Sequence, residues 1–128
     1  MNIEMIRELL ASWKIDQLSI LSFTLIMVLG NGLAEELFWR GFLYKKFSNI
    51  KTEDFAVIIT SLLFGLHHLV TTSLLFAFLA GVPLTLTIIG GGFIWGTLRK
   101  NHNSIYAPLL SHIMADFAII IVLFKMII

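Results

Sequence analysis

The chain has 128 residues, 58% of them hydrophobic and only 13% charged, with a formal net charge of +1. A soluble domain carries about a quarter charged residues, so a water-soluble globular domain is excluded, and the mean hydropathy of +0.92 agrees. The near-neutral balance leaves no basic surface for nucleic acid, and the absence of cysteine excludes a disulfide framework, Cys-ligated zinc and a Cys nucleophile.

Residues 1–17 mix Glu4, Arg7, Glu8, Lys14 and Asp16 with apolar side chains. The mixed charges, with no small-residue cleavage site after the apolar run, do not make a signal peptide. They predict a short amphipathic helix lying in the membrane interface. Residues 18–128 are expected to form one membrane-embedded core. Its first spanning segment runs from Leu18 to Tyr44, followed by a polar loop, KKFSNIKTED, in which Thr52 or Asp54 can cap the next helix. The second helix covers Phe55 to Val70 and is short for a span unless neighbours or bilayer thinning accommodate it. Thr71, Thr72 and Ser73 predict a break. The third helix runs from Leu74 to Leu98, with Pro83 expected to kink or split it. Gly92 and Gly96, four apart, allow close helix packing. The loop RKNHNS leads to a fourth helix from Ile105 to Phe124. The predicted fold is therefore all-α, a polytopic helix bundle of about four transmembrane helices behind an amphipathic segment. Lys45, Lys46, Lys51, Arg99 and Lys100 lie on one side, and Arg7, Lys14 and Lys125 on the other, which makes the first side the expected cytoplasmic one.

Ionisable residues inside spanning helices are costly and point to function. Counted at about 1.5 Å per residue, Glu35 lies roughly 15 Å below Lys45, His68 roughly 21 Å below Asp54 and His112 roughly 14 Å below Asn103. Three helices thus carry ionisable groups at comparable depth from one face, as a shared polar cavity requires. Glu36 and Arg40 are i, i+4 neighbours expected to pair, leaving Glu35 available. Phe64 lies on the His68 face and can pack beneath its imidazole, with His67 pointing elsewhere. Asp116 is i, i+4 from His112 and can orient it or share a ligand or oxyanion role. Trp39, Trp95 and Tyr44 lie near predicted helix ends and read as interfacial anchors. Ser111 is expected to point away from the cavity, and no GxSxG or HExxH stretch is present.

Carboxylates and histidines in a low-dielectric cavity suit hydrolysis. Glu35 would take a proton from water, His68 would position that water, and His112 with Asp116 would stabilise the oxyanion. Alternatively, His68, His112 and Glu35 offer the donors that zinc or another divalent metal accepts. The residues alone leave both schemes open.

The motifs resemble those of the CPBP family, the CAAX proteases and bacteriocin-processing enzymes also called Abi: EELFWRG is similar to EExxxR, FGLHH to FxxxH and HIMAD to HxxxN/D. The resemblance implies an intramembrane endopeptidase of the metalloprotease or glutamate type. On motif positions it makes Glu35 the water-activating glutamate, Glu36 and Arg40 its motif partners, His68 and His112 the histidines, and Asp116 the Asn/Asp residue. It also implies a peptide or membrane-protein substrate and a chain integral to the cell membrane, and the charge bias makes the side on which the site is expected to open the cytoplasmic one. Many relatives have about eight spanning helices, so a second copy could complete the site as a homo-oligomer. Two other readings stand beside the enzyme. One is a catalytically weak protein that confers bacteriocin self-immunity or binds a peptide or partner. The other is a small proton- or cation-conducting bundle.

Overall fold

The computed structural model describes residues 3–13, 19–76 and 78–127. Lys14, Asp16 and the expected start at Leu18 lie outside the described residues. Every regular element among those described is helical. Helix α1 (Ile3–Ser12) covers the larger part of the amphipathic segment. Residues 19–50 then form one uninterrupted helical run: α2 (Ser19–Leu25), a π-helical stretch over Ile26–Asn31, α3 (Gly32–Glu36), a second π-helical stretch over Leu37–Leu43, and α4 (Tyr44–Ile50). Helices α5 (Glu53–Phe76), α6 (Phe78–His102) and α7 (Tyr106–Ile127) complete the bundle. Two stretches, Glu53–Leu74 and Phe78–His102, are long and apolar enough to cross a bilayer, each with a mean hydropathy of 1.7, and Tyr106–Val122 is a shorter apolar helix.

Helix ends follow local chemistry. The Thr52 hydroxyl accepts the Phe55 N–H at 3.2 Å and caps α5. Asp54, the other capping candidate, instead accepts from the Lys100 ammonium at 2.6 Å, tying the start of α5 to the end of α6. Asn103, just past α6, has a φ of 47°, the left-handed conformation that stops a helix.

Three boundaries differ from the sequence expectations. The polar loop after Tyr44 shrinks to Lys51 and Thr52, because Phe47 has a cluster to join: it packs on buried Tyr44, Ala56 and Val57. The break at Thr71–Ser73 does not occur. Thr72 donates its hydroxyl to the His68 carbonyl at 3.0 Å and meets the Thr85 hydroxyl at 2.9 Å, so its polarity is satisfied inside the helix pair. Pro83 does not split α6, which is continuous from Phe78 to His102.

Helices α5 and α6 are antiparallel neighbours in close contact, and glycine sets their separation. A Cβ at Gly92 would lie 3.1 Å from the Ser61 Cα, and one at Gly96 would lie 3.1 Å from Val57 Cγ1. The expected close packing is therefore present, with Ser61 and Val57 opposite the two glycines. Ser61 can sit there because its hydroxyl donates to the Val57 carbonyl at 2.6 Å.

Gly92→Ala is expected to destabilise the protein by about 1–3 kcal/mol, because the obstacle is backbone and cannot rotate away. Gly90→Ala, with nothing within 4 Å of the added methyl, is expected to leave stability unchanged. Thermal unfolding of both variants in detergent checks the contrast.

Candidate active site

The first long helical run alternates between α and π turns around its two glutamates. The α3 segment, GLAEE, is flanked on both sides by π turns. Such bulges widen a helix and are common at functional sites. Glu35 and Glu36 are consecutive on the α3 turn and so point into different surroundings.

Glu36 and Arg40 are both 0% exposed. Arg40 Nη1 donates to Glu36 Oε1 at 2.9 Å, and Nη2 donates to the Gly92 carbonyl on α6 at 3.1 Å. The guanidinium lies over two rings, 4.8 Å from the Phe64 centroid and 5.3 Å from that of Trp95. In this apolar setting the rings add cation–π attraction to the ion pair. The same carboxylate oxygen of Glu36 also receives His112 Nδ1 at 2.8 Å. A carboxylate can only accept, so His112 carries its proton on Nδ1 toward Glu36. One buried carboxylate thus joins the first long run to α6 through Arg40 and to α7 through His112.

His68 is fixed in the same sense. Its Nδ1 donates to the Phe64 carbonyl at 2.9 Å, and its ring lies 4.5 Å from the Phe64 ring. In their neutral forms both imidazoles therefore turn a lone pair on Nε2 toward Glu35. His68 Nε2 lies 3.7 Å from Glu35 Oε1, and His112 Nε2 lies 3.5 Å from Glu35 Oε2. Asp116 Oδ1 is 3.6 Å from His112 Nε2. These gaps are longer than direct hydrogen bonds and suit a small third party between the groups. Glu35 Oε2, Glu36 Oε2 and Arg40 Nε are buried with no hydrogen-bond partner among the described residues. Beyond Glu35 lies an open cleft of about 490 Å³ bordered by Asn31, Ala34, Glu35, Phe38, Trp39 and His67.

The structure therefore brings together all six residues singled out from the sequence: Glu35, Glu36, Arg40, His68, His112 and Asp116. His67 is exposed and turns its ring toward Trp39. The Ser111 hydroxyl accepts from Trp95 Nε1 at 3.1 Å. The reading of Trp39, Trp95 and Tyr44 as interfacial anchors is corrected, since all three are buried. Trp39, Phe64 and Trp95 form the core cluster beneath the site. Trp95 stacks on His112 with ring centroids 4.0 Å apart and an interplanar angle of 14°, which fixes the imidazole plane. Two further residues escaped the sequence reading. Arg99 donates from Nε to the Arg40 carbonyl at 3.1 Å and lies 5.2 Å from the Tyr44 ring. Asn31, one turn before Glu35, borders the cleft; an amide inside an apolar helix was the available signal.

A metal shared by His68, His112 and Glu35 has a suitable donor chemistry, two imidazole lone pairs and a carboxylate. The Glu36–His112 contact is also the kind of outer-shell bond that orients a ligating histidine. As the side chains stand, no three His, Asp or Glu groups among the described residues already converge on one ion position.

Residues 17–118 match the model of a family described as type II CAAX prenyl endopeptidase, Rce1-like. No curated protein and no solved structure matches the chain.

Arg40→Met leaves Glu36 as a buried carboxylate without its cation and is expected to cost about 3–5 kcal/mol. Adding Glu36→Gln to Arg40→Met is expected to recover part of that loss, since no uncompensated charge then remains. Unfolding of the single and double variants in detergent measures the coupling, and strictly additive costs would contradict it.

Proposed function

The chain belongs to the type II CAAX prenyl endopeptidase Rce1-like family, a family of intramembrane proteases, and on that premise we propose that it cleaves a peptide bond with water activated by Glu35. The observation that carries the reading is the division between the two glutamates. Glu36 Oε1 is held by both Arg40 and His112, whereas Glu35 faces two imidazole nitrogens and an open cleft.

The chemistry follows from these acceptors. The Glu35 carboxylate removes a proton from water, and the water oxygen attacks the peptide carbonyl carbon. His68 Nε2, held as an acceptor by the Phe64 carbonyl, receives the second water hydrogen and fixes the attacking lone pair. On collapse the C–N bond breaks, and Glu35 returns its proton to the leaving amine nitrogen. Arg40, Glu36 and Trp95 act indirectly: they hold His112 in plane and in one tautomer. The substrate class is a CAAX-type peptide or a membrane protein reaching the cleft from the bilayer, and the site is taken to face the cytoplasmic side of the cell membrane. That side carries Lys45, Lys46, Lys51, Arg99 and Lys100.

Cleavage of a farnesylated CAAX peptide by the purified protein in lipid, followed by mass spectrometry, tests this. Glu35→Gln is expected to lower the rate by about 1,000-fold, with unfolding temperature retained. His68→Ala is expected to lower it by about 100-fold. Chelator treatment is expected to leave the rate unchanged. A rate abolished by chelator and restored by zinc would replace this scheme with a metal site on Glu35, His68 and His112. Products unchanged in Glu35→Gln would remove Glu35 as the base.

A further inference from the structure

A peptide brought to Glu35 has a charged end that must also be placed. A peptide ending in a C-a-a-X box carries its free carboxylate three residues beyond the cysteine. Charge is costly inside a bilayer, so this carboxylate has to lie toward the aqueous face nearer to Glu35. On this chain that is the face of Lys45, Lys46 and Lys51, reached along the first long helical run. Aromatic rings line the route. Phe38 borders the Glu35 cleft. It stacks on Phe42 with ring centroids 6.2 Å apart and an interplanar angle of 29°. Phe42 in turn borders a second open hollow, of about 400 Å³, with Gly41, Lys45, Lys46 and Asn49. The stacked pair thus joins the Glu35 cleft to a basic hollow.

Resting on the protease reading above, we infer that the Lys46 ammonium binds the C-terminal carboxylate of the substrate peptide. The Lys46 side chain turns back toward the cleft: its Nζ lies 5.9 Å from the centre of the Phe42 ring, one turn nearer to Glu35. Phe42 is seven residues from Glu35, about 10 Å along the helix axis. Three extended residues span about 10 Å as well. A carbonyl three residues from the chain end, placed at Glu35, therefore brings the carboxylate level with Lys46 Nζ. The charge there is available. Lys100 is paired with Asp54 at 2.6 Å, and Arg99 donates to the Arg40 carbonyl and to Asn103. Lys46 has no carboxylate partner among the described residues. Lys45 and Asn49 border the same hollow and offer further donors for the second carboxylate oxygen. Between the two ends, the exposed rings of Phe38 and Phe42 present an apolar bed for the intervening side chains.

Lys46 meets a part of the peptide that does not react. Binding there is equal in the ground state and the transition state, so it lowers KM without changing the chemical step. It also favours a bond near a free C-terminus over an internal one, because only the former brings a carboxylate to the basic hollow.

The test uses the full chain in phosphatidylcholine vesicles, which carry no net charge, with two farnesylated CAAX peptides, one ending in the carboxylate and one in a carboxamide. Wild type, Lys46→Gln, Lys46→Arg, Lys51→Gln and Glu35→Gln are compared. With the carboxylate peptide, Lys46→Gln is expected to raise KM about tenfold, with kcat within about threefold of wild type. Lys46→Arg, which keeps the charge, is expected to restore most of that loss. Lys51→Gln, on the same side but outside the hollow, is expected to keep the wild-type KM. The carboxamide peptide is expected to show the raised KM with wild type already, and no further rise with Lys46→Gln. An unchanged KM in Lys46→Gln, or an equal rise with both peptides, beside an inactive Glu35→Gln, would overturn the Lys46 assignment alone. Cleavage surviving in Glu35→Gln would overturn the protease reading and the assignment with it.

Discussion

A carboxylate with no exposure to solvent has to be neutralised, and the arrangement of three helices follows from how Glu36 achieves this. Its Oε1 takes Arg40 from its own helix and His112 from α7, while Arg40 takes the Gly92 carbonyl from α6. Desolvating an ion pair costs several kcal/mol per ion. Arg40 Nε and Glu36 Oε2 have no hydrogen-bond partner among the described residues, so the offset comes from the contacts that are made. Phe64 and Trp95 meet the guanidinium faces, and no hydrophobic trio could reproduce the directional contacts to two other helices. The network is better understood as a registration device than as a source of stability. It sets the first long run and α7 against α6 so that Glu35 and His112 turn to one point, while His68 on α5 is set by its bond to the Phe64 carbonyl.

The packing below the network serves the same end. Gly92 does two jobs: its missing side chain lets α6 approach Ser61 on α5, and its carbonyl holds Arg40. Trp95, one turn nearer the α6 end, stacks flat on His112 and sends its indole N–H to Ser111. The imidazole is therefore fixed by a ring on one face and a carboxylate at one nitrogen. Only Nε2 is left, turned toward Glu35 and Asp116. The cleft itself is open and bordered by Glu35 and by Trp39 of the core cluster, and Glu36, Arg40 and His112 do not line it.

Much of this was legible in the residues. The i, i+4 spacing of Glu36 and Arg40 identified the pair, and the common depth of Glu35, His68 and His112 identified the convergence, because helical rise converts residue counts into height. Rotation about each helix axis is not encoded so simply. Hence the Glu36–His112 bond, between residues far apart in the chain, was not foreseen. The tryptophans misled for a related reason. Residues near a helix end are interfacial on a straight, isolated span, but Trp39 and Trp95 face inward where neighbouring helices cover them. Thr71–Ser73 looked like a break because hydroxyls compete with backbone bonds in water. In an apolar bundle the Thr72 hydroxyl bonds back to its own helix and across to Thr85.

The central claim is that two adjacent glutamates do separate work, Glu36 holding the helices in register and Glu35 performing the chemistry. The most direct measurement pairs unfolding temperature in detergent with peptide-cleavage rate in lipid for Glu35→Gln and Glu36→Gln side by side. The account predicts that Glu35→Gln unfolds like the wild type and does not cleave. Glu36→Gln should unfold at a clearly lower temperature. Equal unfolding temperatures for the two variants, or retained cleavage in Glu35→Gln, would contradict it.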